Sequence, residues 1–529
     1  MTSLDARGRL QQARETFRGR MAPLDAPSVW AAFSGTIGVV LAGGGARGAY
    51  EAGSLLAFQD AGLPIDLITA TSIGSINGAS FAAYAEGRVG NAEPLVSAWF
   101  DLTPPTVGVE WTRYVWMLGG MLAMFAGVAN LTYYLLDSNG YPIHLAHPAL
   151  AWASLSLAGV SVLLFYDHLP YVFHVVHRLL HRSTWRPDNR RLLISISANL
   201  LVLSFIAALV ESLRIEATFR EMLSSKPLLM VVILAGLFAL QRARRRLHPG
   251  FGRIWGRLLR LPFRTGIFSN FERTRHLRRY IPVDKLRTSA IRVVLASTDL
   301  TTGAARYFTN AEPSLFLDDS GVDRRFVADY LVRADDLMAA VIASSALPIA
   351  YEPLALGGKL HADGAIVGNQ PVRPAIRLGA DVLFLVSMEE PGGFQGELHT
   401  FVDVGLRALE ILMQQNVQAD LALLRQTNLQ IEEAARGLGA RPEDLVIELE
   451  KRRFRYLKAY AIHPSEPIHS NILDFGGRAT EEAIVRGYLD AAEQVENFAH
   501  YARGGGFGRE RRALLLKVSD PSGPERLPR

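Results

Sequence analysis

The sequence of 529 residues contains no cysteine. This absence excludes disulfide bonds, a thiol nucleophile and thiolate metal ligands, and it fits a reducing compartment. The first 21 residues carry charges throughout, so they also lack the apolar stretch of a secretory signal peptide. We therefore expect no secretion and interpret residues 1–35 as a short amphipathic surface helix with a linker.

Acidic residues are scarce in one segment. Residues 111–280 contain 21 Lys or Arg against 7 Asp or Glu, which gives this segment +14 in a chain of net charge +5. The same segment has four stretches without a charged residue, at 114–136, 145–166, 192–210 and 227–241. As helices they would reach roughly 34, 33, 28 and 22 Å, against a hydrocarbon core of about 30 Å. The pattern predicts a helical, membrane-spanning insertion with a marginal fourth span.

Strand and helix patterns alternate on both sides of this insertion. Short apolar strands are predicted at 36–41, 66–71, 291–298 and 381–388, and helical patterns follow them. The alternation predicts a three-layer α/β domain with a mainly parallel sheet, divided into residues 36–110 and 281–502. Helices are expected to dominate the last part of this domain. The final residues, 503–529, mix glycine, proline and charge, and we expect a flexible tail there.

The first motif is a glycine-rich turn between a strand and a helix. Consecutive backbone N–H groups at a helix N-terminus attract negative charge, so this turn is a candidate oxyanion hole. Its residues are Gly43, Gly44, Gly45, Ala46, Arg47 and Gly48. They also spell G-x-G-x-x-G, but a dinucleotide site would need an acidic residue where Thr71 and Ser72 end the next strand. We therefore predict no nucleotide cofactor.

The other two motifs supply a nucleophile and a base. Ser72 follows a strand within Ala70-Thr71-Ser72-Ile73-Gly74 and reads as a nucleophile elbow, although a serine there also suits an ordinary helix N-cap. Asp363 precedes Gly364 in a tight turn, where a carboxylate is often only a turn residue. Each motif is weak alone.

Together the three motifs resemble the patatin-like phospholipases, whose marks are a G-G-G-x-R-G loop, a G-x-S-x-G elbow and a D-G-G/A turn. The resemblance covers residues 36 to about 105 and 290 to about 500, including segments 298–303, 343–348 and 462–464. It implies that Ser72 attacks an acyl carbonyl and that Asp363 takes and returns the proton without a histidine. The implied substrate is a phospholipid or lysophospholipid, and no cofactor is implied. The backbone amides around Gly44, Gly45 and Ala46 would hold the oxyanion.

One position departs from the family pattern. Ala70 replaces the first glycine of the elbow, where a small residue avoids crowding the strained serine. Gly74 and Gly364 keep the family residues at the elbow and the aspartate turn. His361 could be taken for the histidine of a triad, but it lies only two residues from Asp363 and is expected to point elsewhere, so we interpret it as structural. The departure leaves open a catalytically silent, membrane-anchored lipid-binding protein, and sequence does not separate a hydrolase from an acyltransferase.

The insertion also constrains location. The two halves of the domain must lie on one side of a membrane, so the number of spans must be even. Lys and Arg number none, five, three and eight in the successive loops 137–144, 167–191, 211–226 and 242–264. This alternation predicts four spans in a bacterial-type inner membrane, with the active site facing the cytoplasm. A soluble helical lid, or an amphipathic patch that lies in the plane of the membrane, is the alternative interpretation of these stretches.

The partners and ligands follow from the same segment. Residues 242–264 interleave arginine with apolar side chains, which favours a lipid bilayer rather than a nucleic acid as partner. His174, His177 and His181 share one predicted helix face, but the further histidine boxes of a membrane metal enzyme are missing from the sequence. We therefore predict no metal. The oligomeric state stays open.

Overall fold

The structure is a computed structural model of the chain. It describes residues 5–102, 111–137, 147–165, 169, 189–212, 266–268, 270–317, 322–388, 401–449, 452–466, 468, 475, 477–507 and 514–518. These residues divide into two compact units, of which the first takes in residues 1–109 and 265–529 and the second residues 110–264. The first unit carries all three motifs.

The strands of the first unit are β1 (Ile37–Leu41), β2 (Leu67–Thr71), β3 (Gly266–Phe268), β4 (Arg292–Asp299), β5 (Ala304–Thr309), β6 (Leu331–Arg333), β7 (Ile349–Tyr351), β8 (Leu354–Leu356), β9 (Lys359–Asp363), β10 (Val382–Val386), β11 (Leu445–Leu449), β12 (Arg452–Arg455), β13 (Lys458–Ile462) and β14 (Leu514–Val518). Its first helices are α1 (Ala6–Met21), α2 (Ala26–Ala32), α3 (Ala49–Asp60), α4 (Ile73–Ala83) and α5 (Glu93–Phe100). The second unit contains α6 (Trp111–Leu136), α7 (Pro148–Phe165) and α8 (Asn189–Ser212). The first unit continues with α9 (Asn270–Leu277), α10 (Val283–Arg287), α11 (Arg324–Tyr330), α12 (Leu337–Ser344), α13 (Val372–Arg377), α14 (Phe401–Leu438) and α15 (Gly477–Arg503).

A nine-stranded sheet forms the centre of the first unit. Its main order is β13-β10-β1-β2-β4-β5-β6, and β9 pairs with β4 and β8. The five strands from β13 to β4 run parallel, whereas β5, β8 and β9 add antiparallel pairs. The β1, β2 and β10 strands are buried along their whole length, as apolar strands covered on both faces must be. The predicted mainly parallel α/β sheet is confirmed.

Helices α3 and α15 pack unusually close together in this unit. A Cβ atom on Gly53 would lie 2.0 Å from the Ile484 carbonyl oxygen, and one on Gly487 would lie 1.9 Å from the Tyr50 carbonyl oxygen. Only glycine permits backbones to approach to this distance. The N-terminal helix α1 packs on α15 as well, and its Leu10 side chain is buried. The predicted helix in residues 1–35 therefore contributes one face to the core.

The C-terminal part contains strands that the sequence analysis did not predict. Residues 445–449, 452–455 and 458–462 form three strands between the two long helices, and β13 extends the parallel sheet beside β10. The expected flexible tail contains β14, which pairs with β11 in a separate three-stranded sheet. Both strands depend on partners distant in the sequence, so local periodicity did not reveal them.

The second unit consists of helices in its described residues. A Cβ atom on Gly159 of α7 would lie 2.4 Å from the Met124 backbone nitrogen of α6, so these helices also pack through glycine. One helix, Leu118–Leu136, is long and apolar enough to cross a membrane among the described residues, and Pro148–Leu163 and Leu193–Leu209 are shorter. The predicted span at 227–241 lies outside the described residues, as do the arginine-rich run 242–264 and His174, His177 and His181.

Candidate active site

Ser72 stands at the junction of β2 and α4, near the middle of the sheet. Its backbone has φ 54° and ψ −124°, a conformation that residues other than glycine rarely adopt. Such strain is typical of a nucleophile elbow, which lifts the serine out of the strand. A Cβ atom on Gly74 would lie 2.8 Å from the Leu41 carbonyl oxygen, so this glycine lets α4 start directly against β1.

Asp363 ends β9, which is antiparallel to β4. The Ser72 hydroxyl donates to Asp363 Oδ2 at 2.6 Å, and the Ala365 N–H donates to Oδ1 at 2.9 Å. A Cβ atom on Gly364 would lie 2.4 Å from the Ala296 carbonyl oxygen, so the turn after the aspartate requires glycine. The two side chains that the sequence singled out, 291 residues apart, are therefore hydrogen-bonded.

The burial of Asp363 changes its acidity. Burial raises its pKa to about 6, while the hydrogen bonds from Ser72 and Ala365 and the charge of Arg273 act in the opposite direction. A carboxylate with this pKa is ionised at neutral pH and is a stronger base than an exposed aspartate. A pKa near the working pH suits proton transfer in both directions.

The glycine-rich turn follows β1 and begins a short 3-10 helix, Gly45–Gly48. The Gly43 N–H donates to the Asn369 carbonyl oxygen at 3.1 Å, and the Asn369 amide donates to the Gly43 carbonyl oxygen at 3.1 Å. The Arg47 N–H donates to the Gly44 carbonyl oxygen at 3.2 Å. A Cβ atom on Gly43 would lie 2.9 Å from the Ser72 Cβ atom, so the turn runs directly beside the serine.

Residues 344–346 connect the serine and the aspartate through backbone hydrogen bonds. The sequence analysis assigned this segment no role. The Ser72 N–H donates to the Ser344 carbonyl oxygen at 3.1 Å, and the Asp363 N–H donates to the Ala346 carbonyl oxygen at 2.9 Å. The Ser344 hydroxyl lies 2.6 Å from the Ser75 hydroxyl. The only signal for this segment in the sequence was its place within the family resemblance.

Two further residues have clear places. Ala70 is fully buried in β2 and pairs with Leu41 of β1 on one side and Leu295 of β4 on the other. His361 Nδ1 lies 3.0 Å from the Ser297 hydroxyl, and its ring packs edge-on against Phe308. The histidine is thus engaged by β4 and β5, which agrees with a structural role.

Comparison with known proteins agrees with this geometry. The family described as patatin-like phospholipase matches residues 39–376. Lysophospholipase NTE1 of Yarrowia lipolytica is 35% identical over 150 residues, which are 23% of this chain and 10% of that protein. Lysophospholipase nte1 of Aspergillus terreus is 42% identical over 98 residues, 16% of this chain and 6% of that protein. The match therefore spans about a tenth or less of these relatives.

Solved structures with some likeness include VipD from Legionella pneumophila, at 12% identity and a TM-score of 0.33 over 91% of this chain and 71% of that one. The type III effector ExoU gives 13% identity and a TM-score of 0.26, over 89% of this chain and 54% of that one. The family match covers more than half of the present chain. The chain belongs to the patatin-like phospholipase family, as its motifs predicted.

Proposed function

We propose that this protein cleaves carboxylic ester bonds of membrane lipids through an acyl-Ser72 intermediate, with Asp363 as the general base. The observation that carries the proposal is the 2.6 Å hydrogen bond from the Ser72 hydroxyl to a buried carboxylate whose pKa is about 6. A serine becomes nucleophilic when a base within hydrogen-bonding distance removes its proton. The strained backbone of Ser72 supports the same role.

The reaction then has two balanced halves. Asp363 takes the hydroxyl proton while Ser72 Oγ bonds to the acyl carbon, and the proton passes to the alcohol that leaves. Water next gives a proton to Asp363 and attacks the acyl-enzyme, and the fatty acid departs as Ser72 recovers its proton. Both halves place a negative charge on the former carbonyl oxygen, so both need donors beside Ser72.

We assign those donors to the N–H groups of Gly44, Gly45 and Ala46. They precede the first hydrogen bond of the 3-10 helix, which the Arg47 N–H makes to the Gly44 carbonyl oxygen. N–H groups at a helix start have no partner within the helix and are free to bind an anion. Of the six residues proposed from the sequence, Gly43 and Arg47 have N–H groups that already have acceptors in the protein, and Gly48 is the last residue of the 3-10 helix. The remaining three are those that the family resemblance implies.

The substrate class is a phospholipid or a lysophospholipid. The relatives that align with this chain are named lysophospholipases, which supports an ester of a glycerol lipid. Transfer of the acyl group to another alcohol would use the same intermediate, because only the acceptor differs from water. The two activities are distinguished by the product and not by the site.

We propose further that the second unit attaches the enzyme to a bilayer. Val115, Leu118, Leu122 and Phe125 of α6 are each between 58% and 69% exposed, although all are apolar. Exposed apolar side chains in such number are typical of a lipid-facing surface. Four spans, and an active site on the cytoplasmic side, remain predictions from the sequence.

The decisive experiment is labelling with a fluorophosphonate probe combined with lipid profiling of cells that express each variant. Ser72→Ala should lose both the label and the change in lipids. Ser80→Ala is a matched control, since Ser80 is also buried in α4 and its hydroxyl donates to the Tyr280 carbonyl oxygen. If Ser72→Ala kept the label, the assigned nucleophile would be wrong. A protein that labels without changing any lipid would point to a silent site or an unknown acceptor.

A further inference from the structure

Arg273 is a buried arginine close to the catalytic pair. It lies on α9, the first helix of the catalytic unit after the insertion, and its side chain is nearly inaccessible to solvent. Its guanidinium donates to the Ser345 carbonyl oxygen at 2.6 Å, to the Ile342 carbonyl oxygen at 3.0 Å and to Asn270 Oδ1 at 2.8 Å. The guanidinium carbon also lies 3.8 Å from the centre of the Tyr351 ring.

The two carbonyl groups belong to the segment that joins the serine and the aspartate. Ile342 and Ser345 flank Ser344, whose carbonyl oxygen accepts the Ser72 N–H. The next residue, Ala346, accepts the Asp363 N–H. Arg273 therefore holds the short stretch of backbone on which both catalytic residues rest. A planar guanidinium with several fixed donors is well suited to bind two carbonyl groups at once.

The charge of Arg273 acts on the base as well. It lowers the pKa of Asp363, against the burial that raises it. The strands around Asp363 carry other charged groups, which act on the pKa of His361. They are Asp299 on β4, Arg306 on β5 and Lys359 on β9. Arg273 is the cation that lowers the pKa of Asp363 most directly.

We propose that Arg273 is a positioning residue of the Ser72–Asp363 pair, which fixes the backbone between them and holds a positive charge near the base. The inference rests on the proposed catalytic roles of these two residues. Burying an arginine costs free energy that hydrogen bonds and the aromatic contact must offset. An arginine kept in this place by neutral carbonyl groups acts on the charge of Asp363 without forming a closed ion pair.

The test compares Arg273→Met and Arg273→Lys in the full-length protein. The readout is the pH dependence of the rate at which a fluorophosphonate labels Ser72, measured together with thermal unfolding. Arg273→Met should move the acidic limb of the profile upward by up to about 1 pH unit, a loss of up to about tenfold on that limb. Arg273→Lys keeps the positive charge but loses the contact with the two carbonyl groups. The acidic limb of the pH profile should therefore stay at the same pH, while the labelling rate on the plateau of the profile falls.

Arg287→Met provides the matched control. Arg287 donates to the Ala334 and Asp335 carbonyl oxygens, which lie just before α12, the helix that contains Ile342 and Ser344. Arg287 is not part of the site. Removal of the Arg287 guanidinium should leave both the acidic limb and the plateau of the labelling profile unchanged.

An unshifted limb in folded Arg273→Met would overturn the inference. If that variant does not fold, a shifted limb or an unchanged plateau in Arg273→Lys would overturn it instead. Labelling that survives Ser72→Ala would reject the proposed function first, so the two failures are distinguishable.

Discussion

The two units of this protein differ in the side chains that break the usual rule of apolar inside and polar outside. The catalytic unit buries polar side chains such as Ser72, Asp363 and Arg273, and each has hydrogen-bond partners. The insertion exposes apolar side chains, among them Leu118, with only a small buried cluster around Val162 and Val202 in its described part. A buried polar group is tolerated when it is paired, and an exposed apolar surface is tolerated when something other than water covers it. The contrast separates the unit that holds the candidate active site from the unit that we propose to be in contact with lipid.

The largest effect should follow from Asp363→Asn. The amide cannot take the serine proton, so we expect ester hydrolysis to fall by at least about a thousandfold. Membrane retention should not change, because the insertion is untouched. Steady-state hydrolysis of a lysophospholipid measures the activity of the catalytic unit, and membrane fractionation measures the attachment through the insertion. Activity within tenfold of the unmodified enzyme would contradict the role of Asp363.

The same substitution should stabilise the catalytic unit at neutral pH. Folded Asp363 keeps its proton up to about pH 6, whereas the unfolded chain releases it near pH 3.8. The folded state therefore binds more protons between these values, and stability is lost as the pH rises through this window. Asp363→Asn removes this loss, worth at most roughly 3 kcal/mol at pH 7 and little at pH 4. Denaturant unfolding at pH 4 and pH 7 measures the gain in the free energy of unfolding. An equal gain at both pH values would contradict the raised pKa of Asp363.

The second prediction concerns the insertion. Leu118 and Leu122 lie one turn apart on α6 and are both exposed. Replacing both with Arg should release part of the protein from membranes in carbonate, because a charge on a lipid-facing surface opposes burial, by up to about 3 kcal/mol at the centre of a span and by less toward its ends. Leu315→Arg is the control, since Leu315 is a similarly exposed leucine of the catalytic unit. Unchanged retention of the double variant would contradict a lipid-facing α6.

Reporter fusions sharpen the same prediction. Fusions after residues 140, 180, 220 and 270 should read outside, inside, outside and inside if all four predicted spans cross the membrane. Cytoplasmic signals at both 140 and 220 would reject the four-span arrangement and favour a lid that lies on one side.

The third prediction tests the helix contact in the catalytic unit. Gly53→Ala would place a methyl group 2.0 Å from the Ile484 carbonyl oxygen, so α3 and α15 must separate. We expect a loss of about 3 kcal/mol in the free energy of unfolding. Gly119→Ala in α6 is the control, because a Cβ atom there meets nothing within 4 Å. Equal stability of the two variants would show that α3 and α15 can adjust freely.

The smallest effect should come from Ala70→Gly. Removing one methyl group from the buried centre of β2 should leave the rate of hydrolysis equal or a few-fold higher, because crowding at the elbow is relieved. Ala70→Val should inactivate the enzyme instead, because two further methyl groups in the fully buried strand β2 would displace their neighbours and move Ser72. Similar rates for all three residues would show that position 70 does not shape the site.

The sequence by itself determined the family, the sheet type and the positions of the three motifs. Each motif is a strand followed by a turn with small residues, and residues adjacent in the sequence determine such local geometry. The sequence also located the apolar insertion. It did not reveal β13 and β14, whose strand conformation depends on pairing with β10 and β11.

Only the tertiary structure decided how these pieces act together. Contact between Ser72 and Asp363 requires β2, β4 and β9 to pair in register across most of the chain. The pKa of Asp363 depends on burial and on a distant arginine, which no local pattern encodes. Likewise, only the structure shows that the N–H groups of Gly43 and Arg47 already donate to carbonyl oxygens. Such properties arise from the packing of distant segments, which a sequence read locally does not contain.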